Sequence, residues 1–259
     1  MLSAQLYSVR DQLAADRAGT LARLAAIGFR HVEPFGLGAP ERTVAERLAD
    51  ARALRDELDA AGLAVSAVHA AAPDDVAELA EECGILGADT AFIPHPRLVP
   101  GFDTDAFADP SRVDAFADAL GTLARNAAGH GLRLGYHNHW FEWAPLPDGT
   151  TGHDRFWSRA GEDLLAEVDV YWAVAAGADP ATVLSGLGER VAAVHLKDGP
   201  AEPGAHQTPI GTGRVRIDAA VTDGIRWHVV EIDTSELDPF ELLGTNARTL
   251  VDSGLTRWE

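Results

Sequence analysis

The chain has 259 residues, of which 46% are hydrophobic, and carries a formal net charge of −19 from 40 acidic and 21 basic residues. No apolar run reaches the about eighteen residues of a membrane-spanning helix, and no cluster of Lys and Arg offers a surface for nucleic acid. We therefore predict a single domain over residues 1–259 that acts on a small molecule.

Short apolar runs, rich in β-branched and aromatic residues, alternate along the chain with longer amphipathic stretches. The amphipathic stretches predict helices, and several end in a glycine just before the next apolar run, as at Gly28, Gly62 and Gly131. The apolar runs predict strands at residues 2–9, 31–35, 64–70, 90–96, 133–139, 164–172, 191–198 and 227–233.

The alternation of strand and helix over the whole chain predicts a parallel sheet closed into a (β/α)8 TIM barrel. A doubly wound open sheet is the competing α/β architecture. That fold usually places a glycine-rich phosphate loop after its first strand, and the segment SVRDQLAAD contains no glycine. The number of strands and the chain length favour the barrel.

Ionisable side chains lie at the ends of the predicted strands, where barrel enzymes build their active sites. They are Glu33, His69, His95, His137, His139, Asp169, His195, Lys197, Asp198, Glu231 and Asp233. Closing the sheet would bring them to one mouth. Carboxylates and imidazoles bind divalent cations. Asp169, His195 and Glu231, from three consecutive strands, therefore predict a metal site that a residue of the HNH segment completes.

Six segments resemble, in order and spacing, the sugar phosphate isomerase/epimerase group of xylose isomerase-like TIM barrels. They are GFRHVEPFG, YHNHWFEW, DVYWAVAAGADP, VHLKDG, PIGTGRVRID and VVEID. The group includes inosose dehydratases, ketose 3-epimerases and hydroxypyruvate isomerases. The resemblance implies one divalent metal ion (Mn, Co, Mg or Zn), a carbohydrate substrate and a homo-oligomer as a frequent assembly.

The resemblance also implies a set of metal ligands, namely Glu, Asp, His and Glu from the fifth to eighth strands. Asp169, His195 and Glu231 match the last three positions, whereas His137 stands where the group has its first glutamate. A histidine can bind the metal but cannot replace a carboxylate in acid/base chemistry. Glu142 could take that part if its loop folds back towards the barrel.

The expected reaction is isomerisation, epimerisation or dehydration of a sugar, cyclitol or keto-sugar through an enediolate formed next to a carbonyl. Glu231 is the expected base, and His139, Glu142 and Lys197 are candidates to return or deliver the proton. The expected substrate contacts are Glu33, His69, His95, Trp172 and Asp198.

Several residues have a second interpretation. Glu33 could pair with Arg30, and Lys197 with Asp198, while Trp172 could simply belong to the core. The glycines of PIGTGRVRID have a spacing that can hold a phosphate on backbone N–H groups, although such a short motif is weak evidence.

Two other functions are compatible with a barrel of this kind. A DNA-repair endonuclease of the endonuclease IV type would need more metal ligands and a basic surface, which the net charge of −19 disfavours. A non-catalytic sugar-binding barrel would keep the metal site without turnover, and His137 in the glutamate position is compatible with it.

The N-terminus and the cysteine content favour the cytoplasm. The segment MLSAQLYSVRDQ lacks the basic region, apolar stretch and cleavage site of an export signal. The single cysteine, Cys83, cannot form an internal disulfide, as expected in a reducing compartment. Because Cys83 lies in a helical pattern, we expect it to be inert.

Overall fold

The computed structural model describes residues 1–221 and 224–258, and within them nine strands form one parallel sheet. The strands are β1 (Leu2–Gln5), β2 (His31–Glu33), β3 (Ala64–Val65), β4 (Val68–His69), β5 (Thr90–Ile93), β6 (Arg133–His137), β7 (Leu165–Asp169), β8 (Val191–Leu196) and β9 (Trp227–Val230). Their order is β3-β2-β1-β9-β8-β7-β6-β5-β4. Because β3 and β4 are consecutive in the chain, the sheet curves round nearly to closure, which confirms the predicted barrel.

The strand predicted at residues 64–70 is two strands, β3 and β4, and this corrects its boundaries. β3 pairs with β2, whereas β4 pairs with β5. Between them, Ser66 N–H donates to Val32 O of β2 (3.0 Å), and the Ser66 hydroxyl bonds to Val32 O (3.2 Å) and Ser3 Oγ (2.8 Å). The chain therefore changes partner strand at Ser66, a change that residue type alone does not mark.

Most other strands end earlier than predicted, because the apolar runs continue into short buried helices. Residues 2–9 form β1 and then a 3-10 helix, Leu6–Val9. Residues 164–172 form β7 and then a helix that begins at Val170. Hydrophobic runs of this length do not separate a buried strand from a buried helix.

Ten α-helices are formed within the described residues, and most of the long ones cover the outside of the sheet. They are α1 (Arg10–Ala15), α2 (Arg17–Ile27), α3 (Val44–Ala61), α4 (Val76–Leu86), α5 (Pro110–Ala128), α6 (Gly152–Arg159), α7 (Val170–Ala175), α8 (Pro180–Leu187), α9 (Ile217–Ala220) and α10 (Pro239–Asp252). Local chemistry sets their ends. Thr43 and Glu46 form a capping box at the start of α3, and Gly62 ends it with a φ of 71°.

Side chains alternate between the helix-facing and the axis-facing sides of each strand. At the amino-terminal end of the barrel, Phe92, Ala193, Trp227 and Val229 fill the axis with apolar groups. The next inward positions towards the carboxyl ends are polar, and they carry the site described below. No helix in the described ranges is long and apolar enough to span a membrane.

Candidate metal and substrate site

Two fully buried carboxylates, Glu33 and Glu167, lie at the centre of the polar layer. Glu167 Oε2 lies 2.6 Å from His69 Nε2, 3.1 Å from His137 Nδ1 and 3.2 Å from His195 Nε2. Glu33 Oε2 lies 2.8 Å from His195 Nε2 and accepts a bond from Gln5 Nε2 (2.8 Å). We refer to Glu33 and Glu167 as the inner carboxylates.

Sequence reasoning missed Glu167. Its signal was the alternation of the strand, because Glu167 stands two positions before Asp169 and so shares its inward face. The alternative pairing of Glu33 with Arg30 is not formed. Arg30 instead donates to Phe29 O (3.1 Å), on the outside of the barrel.

The inner carboxylates differ in charge. Burial acts to raise the pKa of Glu167, but the positive charges of His195 and His69 outweigh it, and the net shift is downward. Burial, followed by the charge of Glu167, raises the pKa of Glu33 to about 7. Glu167 therefore holds the negative charge of the pair, and Glu33 is the carboxylate that takes up a proton more readily.

Four residues from consecutive strands, His137, Asp169, His195 and Glu231, form the candidate metal set. All four are buried, and each offers one ligand atom within 4.8 Å of the others. His195 Nδ1 is 2.8 Å from Glu231 Oε2, and His137 Nε2 is 3.7 Å from Asp169 Oδ2. The structure thus brings together the four residues that the sequence predicts as ligands.

Each histidine of this set uses its two ring nitrogens differently. His137 presents Nδ1 to Glu167 and Nε2 towards Asp169. His195 presents Nε2 to the inner carboxylates and Nδ1 towards Glu231. A carboxylate behind a histidine sets the ring orientation and tautomer of metal-binding histidines. Two imidazoles and two carboxylates are also a donor set that suits Mn²⁺, Co²⁺ or Zn²⁺, so these residues fit a divalent ion.

A second set of nearby donors comprises His69, His137, Glu167 and His195, and it shares both histidines with the first. Glu167 does not line the cavity at the barrel mouth, whereas His137 and Glu231 do. His69 and His137 of the second set also line the cavity, but Glu167, its only carboxylate, does not. We favour the candidate metal set because a substrate can reach one of its carboxylates, Glu231.

The protonation state of His137 fits this assignment. Burial, followed by the charge of His195, lowers the pKa of His137 to about 3, so the ring is neutral and free to bind a cation. Burial acts to lower the pKa of His195, but Glu167 and Glu231 outweigh it and raise the pKa well above the ordinary value, so a bound cation would displace a proton from this ring. Burial raises the pKa of Asp169 to about 6, although the Lys197 ammonium works in the opposite direction.

Hydrogen bonds to its backbone and to its carboxylate fix the position of Asp169. Asn138 Nδ2 donates to Asp169 O (3.1 Å), and Asp169 N–H donates to Asn138 Oδ1 (3.0 Å). Asp169 Oδ1 accepts from Trp172 N–H (3.0 Å) and so caps α7. Asn138 faces away from the barrel axis and satisfies backbone groups, as the strand alternation predicts.

Lys197 is buried among three carboxylates. Its Nζ lies 2.8 Å from Asp169 Oδ2, 2.6 Å from Glu231 Oε2 and 2.7 Å from Asp233 Oδ2. Burial acts to lower the pKa of Lys197, but the three carboxylates outweigh it and raise the pKa. The alternative pairing with Asp198 is not formed, because both carboxylate oxygens of Asp198 accept backbone N–H groups of a loop.

Asp198 binds a loop. Its Oδ1 accepts from Gly199 N–H (2.8 Å) and Val215 N–H (3.0 Å). Its Oδ2 accepts from Gly211 N–H and Gly213 N–H, both at 2.9 Å. Asp198 does not line the cavity in which we expect the substrate. The glycine N–H groups that a phosphate would need are donated to this carboxylate instead.

The loop after β6 folds back, as the proposed role of Glu142 requires, but the carboxylate of Glu142 binds its own chain. Glu142 Oε1 accepts from Tyr136 Oη (2.7 Å) and from His139 N–H (2.9 Å). Burial raises the pKa of Glu142 to about 8. Glu142 does not line the cavity, and it holds the backbone of His139, which does.

His139 and His95 form one side of the mouth, with ring centroids 5.5 Å apart. His95 Nδ1 accepts from Arg97 N–H (3.1 Å), which leaves Nε2 as the protonated nitrogen available to a ligand. The ring centroids of His139 and His137 are 5.2 Å apart. The two rings lie on the same side of the chain, as the strand alternation predicts. The pKa of His139 is far below its ordinary value, chiefly because of burial.

Neither Trp172 nor Cys83 lines the cavity. Trp172 is buried, and its ring centroid lies 4.7 Å from that of Trp140 and 5.3 Å from Lys197 Nζ. Cys83 is buried on α4, and burial raises its pKa to about 12, which agrees with an inert thiol.

The chain is similar in fold to several solved structures. It is similar to a sugar phosphate isomerase/epimerase from Parabacteroides distasonis (TM-score 0.80, 21% identity, covering 99% of this chain and 95% of that chain). It is also similar to a probable 3-DHS dehydratase from Bacillus anthracis (0.71, 12%, 96% and 98%) and to a D-allulose 3-epimerase from Methylomonas sp. (0.66, 15%, 97% and 96%). No curated protein matches the chain in sequence. The family model of the xylose isomerase-like TIM barrel matches residues 21–223, and the chain therefore belongs to that family.

Proposed function

We propose that this protein is a divalent-metal-dependent enzyme that isomerises, epimerises or dehydrates a sugar, cyclitol or keto-sugar. The observation that carries the proposal is the convergence of His137, Asp169, His195 and Glu231, from the ends of four consecutive strands, with His137 and Glu231 lining the cavity. The similarity to structures described as an isomerase/epimerase, a dehydratase and an allulose epimerase supports this group of reactions. These reactions share a first step, removal of a proton from a carbon next to a carbonyl.

In this proposal the candidate metal set holds the ion. A bound divalent ion would supply positive charge next to the substrate oxygens, where negative charge develops as the proton leaves. The inner carboxylates keep the rings of His137 and His195 in the orientation and tautomer that metal binding needs.

Glu231 is the proposed base. It lines the cavity, and although burial acts to raise its pKa, Lys197 and His195 lower the pKa well below the ordinary value. Glu231 is therefore ionised, which a base requires. Lys197 donates to Glu231 Oε2 and so fixes its direction.

His139 is the proposed partner in proton transfer. The ring lines the cavity and is neutral, and Nδ1 has no hydrogen-bond partner within the described residues. Glu142 positions His139 through its backbone N–H and does not exchange the proton itself. Substrate contacts are proposed for His69 and His95, which both line the cavity.

The first test is metal content per chain, measured by mass spectrometry on protein purified without chelator. We expect one ion per chain in the wild type, and loss of the ion in Asp169→Asn and in His137→Ala. The control is Asp218→Asn, which changes an exposed carboxylate paired with Arg216 and should leave the content unchanged. No bound metal after addition of Mn²⁺, Co²⁺ or Zn²⁺ would refute the metal-dependent mechanism.

A second pair of variants separates the two donor sets. Glu231→Gln should abolish metal binding, whereas Glu167→Gln should weaken it about 10- to 100-fold, as for a group that only orients ligands. The reverse ranking would place the ion in the set that contains Glu167. The reaction class is tested by exchange of a substrate C–H proton with D₂O over a panel of keto-sugars, in which a catalytically active barrel gives exchange and a binding-only barrel does not.

A further inference from the structure

The cavity at the barrel mouth has a volume of about 380 Å³ and two chemically different ends. The floor is polar, and its lining side chains include His69, His137, His139, Glu231 and Asp233. The outer end is apolar, and its lining residues include Tyr7, Phe35, Leu37, Pro40 and Leu98. We refer to these five residues as the apolar wall.

Most of the apolar wall is accessible to solvent, whereas Leu37 is buried. Tyr7 and Phe35 are each 38% exposed and Leu98 is 37% exposed, and they are three of the five large apolar side chains that are exposed in the described part of the chain. Exposed apolar groups that lie together mark a binding surface more often than isolated ones do. These three also lie in one cavity with the candidate metal set, so the wall is continuous with the site.

The wall is also preorganised. The rings of Tyr7 and Phe35 meet edge to face, with centroids 5.3 Å apart, and the Arg10 guanidinium lies 4.3 Å from the ring centroid of Tyr7. Tyr7 N–H donates to Gln5 Oε1 (3.1 Å), while Gln5 Nε2 donates to Glu33 at the barrel axis. One side chain therefore links the position of the wall to the polar layer.

Nothing in this cavity is built for a phosphate. Among the described residues that line it, none is Lys or Arg, and three are carboxylates, Glu41, Glu231 and Asp233. Arg10 donates to Tyr7 O (3.0 Å) and Asp233 O (3.2 Å). The loop of residues 206–218, whose glycines have a spacing suited to phosphate, donates its Gly211 and Gly213 N–H groups to Asp198. A doubly charged anion would meet three carboxylates and no Lys or Arg, and imidazole groups such as that of His95 would be its side-chain donors.

We infer that the substrate is an uncharged keto-sugar that carries an apolar substituent, such as an aryl glycoside with a ketone in its sugar ring, rather than a sugar phosphate. The polyol would lie on the polar floor and the substituent against the apolar wall. This inference rests on the proposed function for the location of the polyol. It goes beyond it in naming the chemical class of the rest of the substrate.

The test is binding, measured by isothermal titration calorimetry, of phenyl β-glucoside, glucose and glucose 6-phosphate, with the galactose compounds in parallel. Burial of a phenyl ring should make the phenyl glycoside bind at least about tenfold more tightly than the free sugar, with the phosphate weakest. Tighter binding of a phosphate, equal binding of glycoside and free sugar, or no binding of either phenyl glycoside at millimolar concentration would each overturn the inference.

Variants locate the effect. Phe35→Ala and Leu98→Ala should reduce the ratio of phenyl glycoside to free sugar affinity about fivefold or more. Leu237→Ala is the matched control, because Leu237 is exposed but lies outside the cavity, and it should leave the ratio unchanged. Sedimentation analysis excludes another occupant: a dimer that Phe35→Ala converts to monomer would show that a second copy of the chain covers the wall, and would overturn the inference.

The two proposals fail differently. Tight binding of phenyl glycosides without any D₂O exchange would remove the proposed function and leave the inferred ligand class. Exchange that is faster with keto-sugar phosphates than with aryl glycosides that carry a ring ketone would keep the function and remove the ligand class.

Discussion

Replacing Asp198 by Asn tests whether this residue supports the structure or binds the substrate. The buried carboxylate accepts four backbone N–H groups of residues 199–215, at 2.8 to 3.0 Å. The amide of Asn can accept from only two of them, and its NH₂ group would face the other two donors. Hydrogen bonds to a charged acceptor contribute about 1.5–3 kcal/mol each.

Loss of two such bonds predicts that Asp198→Asn lowers the free energy of unfolding by about 3–6 kcal/mol, a large part of the about 5–15 kcal/mol typical of a domain. Urea unfolding followed by circular dichroism measures this change, with Asp218→Asn as an exposed control. Hydrogen exchange should show faster exchange of the amides of Gly211, Gly213 and Val215.

The loop also contacts the end of the barrel that carries the candidate site. Gln207 Nε2 donates to Asp233 Oδ2 (2.7 Å), and Asp233 N–H donates to Gln207 Oε1 (2.6 Å). Asp198→Asn should therefore also weaken the hydrogen bonds between Gln207 and Asp233, which is an ion-pair partner of Lys197. If the variant keeps wild-type stability and amide protection but has a raised KM, Asp198 contacts the substrate and the structural reasoning is wrong.

Three further predictions concern the barrel. Lys197→Met leaves two buried carboxylates, Asp169 and Glu231, and the partly exposed Asp233 without their cation. It should destabilise the metal-free protein by about 3–5 kcal/mol in urea unfolding; unchanged stability would show that the ion pairs add nothing. Burial lowers the pKa of His228 from 6.5 to about 4, so the ring is neutral in the folded protein. The stability that is present above pH 6.5 is therefore lost as the pH falls towards 4, by about 3 kcal/mol at most. Thermal unfolding of His228→Gln should show a smaller fall over that window, and an equal fall would rule this histidine out. A Cβ at Gly135 would lie 2.5 Å from a ring carbon of the β5 phenylalanine, so Gly135→Ala should lower the free energy of unfolding by about 1–3 kcal/mol. A Cβ at Gly84, on a helix, would point into open space, so Gly84→Ala should leave the free energy of unfolding unchanged.

Much of the fold and part of the candidate site follow from the sequence, because they depend on local periodicity. Alternating apolar runs and amphipathic stretches predicted the barrel, and the strand ends predicted where His137, Asp169, His195 and Glu231 lie. The bounds of the strands did not follow, because a buried strand and a short buried helix have the same composition, as at Val170.

Only the tertiary structure decided which side chains meet at the barrel axis. Glu33 and His195 are 162 positions apart in the chain, yet their side chains are 2.8 Å apart. Barrel closure placed Glu167 among three histidines and Lys197 among three carboxylates, and it turned Asp198 towards a loop. Strand alternation determines the side on which a residue points, whereas its partners depend on how the strands are staggered around the axis, which no local pattern encodes.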